Sequence, residues 1–133
     1  MIILDTNILL RAALDDDPRQ SNIAQGCLAD ADEIAIPLPV FCEFVWVLSR
    51  SYKLRKEMVI SAVLRLINSS NVTCDEEAVE AGLAFLQAGG DFADGVIEFE
   101  GRKLGGTRFV TFDRQAASIV RDKGREVVLL DAG

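Results

Sequence analysis

The chain has 133 residues, half of them apolar and 26% charged, with a formal net charge of −7 and no histidine. That length buries a core without disulfides or a structural metal. The missing histidine excludes Ser-His-Asp and Cys-His nucleophile pairs, imidazole bases and histidine-containing zinc sites. Cys27, Cys42 and Cys74 lie too far apart in sequence for a CxxC pair and read as reduced, buried thiols. The opening MIILDTNILL lacks a basic leader, and no stretch approaches the roughly 18 apolar residues of a membrane span, so a cytoplasmic protein is expected. A charge of −7 speaks against a broad basic face for nucleic acid. Acids gathered in one cleft, however, reverse the local sign once divalent cations bind.

Residues 2–4 (IIL) are predicted to form a buried strand, Asp5-Thr6-Asn7 a polar turn, and Ile8-Leu9-Leu10 the start of a helix. Asp15-Asp16-Asp17-Pro18 breaks that helix. A second is expected over 21–31, with Ile23, Ala24, Cys27 and Leu28 on one face. Residues 33–37 (EIAIP) read as a strand stopped by Pro37, and Pro39 suits the first turn of a helix from about Val40 to Arg50. A helix over about 55–68 and a short strand over 71–74 follow. Asp75 is placed to cap a helix over 76–88, which ends at Gly89-Gly90. Asp91 opens another helix to about Leu104, closed by Gly105-Gly106. A strand over 107–111, a helix over 113–123 ending at Gly124 and a strand over 126–130 complete the chain. With no linker or repeat, residues 1–133 read as a single domain. Strands alternating with helices predict an α/β fold, a three-layer α/β/α sandwich around a mostly parallel five-stranded sheet.

Ligands of such sheets bind beyond the carboxyl ends of the strands, where strand order reverses. In a sheet ordered 3-2-1-4-5, Asp5 and Asp113 end neighbouring strands at that point. Asp94, in the first turn of its helix, and Glu43, one turn into the helix after the second strand, are expected at the same rim. Each acid also has a structural explanation. Asp5 and Asp113 suit helix caps, and Asp91 with Asp94 reaching back resembles a capping box. Glu43 is hardest to explain that way, because in VFCEFVWVL its neighbours are nearly all apolar, where an unpaired carboxylate would require a cation, either a metal ion or an arginine from elsewhere in the chain. Grouped carboxylates repel one another. An oxygen-only donor set suits a hard ion, Mg2+ or alternatively Mn2+, which activates water and screens a phosphodiester.

Four segments then carry a family resemblance: IILDTNILLRA, Pro39 to Glu43 within PLPVFCEFVWVL, DFADGVIEFEGRKLGG, and VTFDR. In this order and spacing, from residue 2 to residue 114, the chain resembles the PIN-domain nucleases, specifically the VapC-type toxins of toxin–antitoxin modules. The resemblance implies that the family's four acids fall on Asp5, Glu43, Asp94 and Asp113. Asn7 and Thr111 would support the site through hydrogen bonds. It further implies Mg2+-dependent cleavage of RNA, a homodimer and inhibition by a small antitoxin protein. Where relatives read DALIAA the chain has DGVIEF, which puts Gly95 and Glu98 at positions usually small or aliphatic and is expected to loosen the start of that helix.

Other readings remain open on the residues alone. A phosphatase or phosphotransferase of the haloacid-dehalogenase type needs a second aspartate where Asn7 stands. A response-regulator receiver needs Asp and Lys where Cys74 and Leu130 stand. A non-catalytic module binding metal or a partner is the third alternative. Arg11, Arg50, Lys53, Arg102 and Arg114 are scattered and do not mark an RNA path. The apolar residues of the helices near 40–50 and 55–68 exceed what one packed face needs, which predicts a partner surface.

Overall fold

The computed structural model describes residues 1–131, which divide into two compact units, Met1–Glu76 and the chain from Glu77 onward. In the first unit, β1 (Ile2–Ile3) leads into α1 (Thr6–Ala13), with Asp5 as its N-cap. The run Asp15–Asp17 is more than a helix breaker. Asp17 accepts the Gln20 N–H and Pro18 is the first residue of α2 (Pro18–Asp30), so this helix starts three residues earlier than predicted. Its buried face also differs from the prediction: Ser21 and Ala24 are buried, whereas Ile23 and Cys27 are exposed. Small side chains let α2 lie close to α1, and Gln25 Nε2 bridges the two by donating to the Ala12 carbonyl.

Strand β2 (Ile34–Ala35) precedes α3 (Leu38–Trp46), whose first turn holds Pro39. The chain then passes into a π-helical turn, Val47–Ser51, where the expected helix was regular. Lys53 at φ +53° ends it in the left-handed region. Helix α4 (Lys56–Ile67) and β3 (Val72–Thr73) complete the unit. The strands form a parallel sheet ordered β1-β2-β3, with Ile34 opposite both Ile2 and Val72. Phe41, Phe44, Leu48, Val59 and Val63 are fully buried.

The second unit contains most of α5 (Glu76–Gln87), followed by α6 (Phe92–Lys103), β4 (Arg108–Thr111), α7 (Arg114–Asp122) and β5 (Glu126–Leu129). Strands β4 and β5 pair in parallel, from Arg108 opposite Glu126 to Thr111 opposite Leu129. Phe85, Ala116, Ile119 and Val120 form a core over this pair, with Phe109 and Val127 packed against it.

Parallel strands alternating with helices confirm the α/β class. Among the described residues, however, the strands form two small sheets, and the five-stranded order expected from the sequence is not confirmed. The first three strands are only two residues long because the next element begins so early; Asp5 already caps α1, and Pro37 lies at the N-cap of α3. No disulfide joins Cys27, Cys42 or Cys74 among the described residues, and against the expectation of buried thiols Cys27 is exposed and Cys42 and Cys74 are half-buried. No helix among the described residues is long and apolar enough to cross a membrane.

Candidate active site

Asp94 is the most unusual acid of the second unit. Asp91 caps α6 by accepting the Ala93 N–H at 2.7 Å, which fixes the start of the helix and sets Asp94 in its first turn. The expected capping box is incomplete, because Asp94 does not reach back and makes no hydrogen bond or ion pair among the described residues. Its carboxyl is half-buried, and its proton affinity is raised above the ordinary aspartate value. Burial is the main cause, followed by the charges of Asp91 and then Asp113. These three acids thus share one electrostatic neighbourhood.

Asp113 is held firmly. Its Oδ1 accepts the N–H groups of Gln115 and Ala116 at 2.8 and 3.0 Å, capping α7, and its own N–H donates to Thr111 Oγ1 at 3.0 Å. Both hydrogen bonds fall on Oδ1, so Oδ2 is left for a ligand. The cap and a binding role are therefore compatible in the same side chain.

The first unit carries Asp5, Asn7 and Glu43. Asp5 is exposed and its Oδ1 accepts the Asn7 N–H at 3.4 Å. Asn7 is exposed in the first turn of α1. Glu43 requires a correction, since it is exposed on α3 and not enclosed by apolar side chains. The buried stripe of that segment is Phe41, Phe44, Val45 and Leu48. At about 100° per residue, position 43 falls on the opposite side of the helix. The argument that burial forces a cation upon Glu43 therefore does not hold.

The enclosed carboxylate is Glu98, whose side chain is 4% exposed. Arg125 meets it with two bonds, Nη2 to Oε1 at 2.7 Å and Nε to Oε2 at 3.1 Å, and Arg102 Nε adds a third at 2.8 Å. Sequence reading flagged Glu98 as out of place but missed its partners. The i,i+4 spacing to Arg102 was available as a signal, whereas Arg125 was not. Gly95 has a packing role that the sequence did not reveal. A Cβ there would lie 2.5 Å from the Ala81 carbonyl oxygen and 2.9 Å from Gly82 Cα, so glycine permits the close crossing of α5 and α6.

The donor chemistry fits a hard divalent ion, with oxygen ligands, mutual repulsion and one acid lacking any partner. Among the described residues, no group of three or more acid or thiol side chains is gathered closely enough to hold an ion alone. Mg2+ commonly keeps several waters and takes only one or two carboxylates, so the fit lies in donor type and not in a closed cage.

A family model described as PIN domain matches residues 2–122, a span that runs through both units. No curated relative matches the chain.

Proposed function

The chain belongs to the PIN-domain family, and from that premise we propose that it is a Mg2+-dependent endoribonuclease, with Mn2+ as an alternative ion, acting as the toxin of a toxin–antitoxin pair. PIN domains are in general metal-dependent nucleases that bind divalent ions such as Mg2+. The observation that carries the reading is Asp94: a half-buried carboxyl without a partner, pressed by Asp91 and Asp113, is better explained by a cation to be bound than by the fold.

Asp94 and Asp113 on the second unit, and Asp5 and Glu43 on the first, are the acids proposed to hold the ion and act in cleavage. Asn7, Thr111 and Asp91 support them. When bound, the ion supplies charge against the phosphodiester and lowers the pKa of water. The chain's own contribution is positioning. The α7 cap fixes the rotamer of Asp113, Thr111 anchors its backbone, and the Asp91 cap sets where α6 presents Asp94.

The test is cleavage of single-stranded RNA by the purified chain, with a phosphomonoester as the control substrate. Cleavage should stop on chelation, return with Mg2+ or Mn2+, and be lost in Asp94→Asn and in Asp113→Asn, where asparagine retains the cap. Undiminished cleavage after exhaustive chelation, or release of phosphate from the monoester alone, would overturn the reading.

A homodimer and a small antitoxin protein are the proposed partners. Supporting this, Trp46, Met58 and Leu64 are exposed on α3 and α4, and a groove of ≈ 600 Å³ runs past Leu9, Leu28, Leu48 and Met58.

A further inference from the structure

Phe112 is the residue between the end of β4 and the α7 cap, and 65% of it is exposed. Its neighbour in sequence is Asp113, and with Arg114, Leu129, Leu130 and Asp131 it lines a cleft of ≈ 400 Å³ at the carboxyl ends of β4 and β5. Leu130 is also exposed. A large aromatic ring and a leucine held in solvent gain nothing for the fold, since the core over β4 and β5 is filled by other side chains.

Arg114 is equally unexplained by folding. Arg102 and Arg125 are paired with Glu98, Arg108 with Glu126, and Arg11 with Asp16. Arg114 has no ion pair among the described residues, as is also true of Arg19, Arg50, Arg55, Arg65 and Arg121, but Arg114 alone of these lines the cleft beside Phe112. It also stands in the first turn of α7, where the helix dipole disfavours a cation. A free guanidinium and an exposed ring, two residues apart and flanking Asp113, match what single-stranded nucleic acid requires: a face on which a base stacks and a charge for its phosphate.

We infer that this cleft is a substrate subsite for single-stranded RNA, with Phe112 stacking on a nucleobase next to the scissile bond and Arg114 meeting a phosphate. The inference rests on the endoribonuclease reading and names how that site takes its substrate. Stacking accepts any base, so the subsite positions the strand and contributes little sequence preference.

The experiment measures binding of a short labelled single-stranded RNA to the full chain carrying Asp94→Asn, so that no cleavage intervenes. Phe112→Ala should weaken binding at least about fivefold, and Phe112→Trp should restore it. Arg114→Gln should flatten the dependence of log affinity on log salt by about 0.7, the loss of one phosphate contact to a single strand. In the active chain Phe112→Ala should raise KM with little change in kcat. Because Phe112 is exposed, the melting temperature should be unchanged in its two variants, and in Arg114→Gln, which removes a cation from the first turn of α7, it should not fall. Wild-type affinity and KM in Phe112→Ala would overturn the subsite while leaving the nuclease reading intact. A parent chain that neither binds nor cleaves RNA would remove both. Loss of self-association with RNA affinity retained would assign the face to a second copy of the chain, and the subsite would again be overturned.

Discussion

Asp94 is destabilised in its charged form, and the sign of this effect fixes how stability varies with pH. Its folded pKa lies above the unfolded value, so the native state holds the proton more tightly. Below the unfolded value of about 3.8 both states are protonated and there is no penalty. As pH rises through the folded pKa, the native state must ionise a disfavoured group and stability falls. Asp94→Asn removes that group. In metal-free protein the variant should melt higher than wild type at pH 7, and the difference should vanish near pH 3. An equal melting temperature at both pH values would mean that neither burial nor the charges of Asp91 and Asp113 disfavour the ionised form of Asp94. Asp5, Asp94 and Asp113 were legible as candidates because each sits at the start of a helix, a place readable from local pattern. Glu43 was misread at the same scale. Its neighbours in sequence are apolar, but a helix turns some of them away, and only the buried stripe tells which.

At the scale of elements, α5 and α6 approach so closely that two glycines are needed. A Cβ on Gly82 would meet the Phe92 ring at 2.6 Å, and one on Gly95 would meet backbone atoms of α5, which cannot swing aside. Alanine is ordinarily favoured over glycine inside a helix by about 1 kcal/mol. Here the clash should outweigh that gain, and Gly95→Ala should destabilise by roughly 1–3 kcal/mol. Gly101, on the same helix, has nothing within 4 Å of an added Cβ. Gly101→Ala should therefore be neutral or stabilise by up to about 1 kcal/mol. Urea unfolding of the two variants checks the contrast, and equal effects would remove the packing explanation. The helices were largely legible because caps, prolines and glycines are local signals. The start of α2 was missed because Asp17-Pro18 reads as a helix breaker, whereas α1 has already ended at Ala13 and these two residues cap and open the next helix. The π-helical turn after α3 has no such local mark.

At the scale of the whole molecule, a net charge of −7 makes the chain repel itself and its proposed polyanionic substrate alike. Monovalent salt should screen the self-repulsion and raise the melting temperature of the metal-free protein. Mg2+ at matched ionic strength should raise it further, because an ion bound only by the native state adds stability by mass action. That surplus should be absent in Asp94→Asn. An identical rise with Mg2+ and with NaCl at equal ionic strength would leave screening as the whole effect. The alternation of strands and helices was readable along the chain, and so was the α/β class. The division of the strands into two sheets was not, because pairing joins residues far apart in sequence and two-residue strands carry too little pattern to specify their neighbours.

The Glu98 cluster has a consequence for how the second unit opens. Arg125 reaches Glu98 across 27 residues of chain, so one carboxylate joins α6 to the start of β5, with β4 and α7 lying in the closed loop between. Peeling β5 away on its own would leave an enclosed negative charge with half its partners gone, a costly intermediate. Small local openings of this region are thus suppressed in favour of one larger event. The backbone amides of β4, α7 and β5 should exchange their hydrogens with solvent as a single cooperative group, while those of Gly105 and Gly106, bonded only to the Arg102 and Gly101 carbonyls at the exposed end of α6, exchange faster through local fraying.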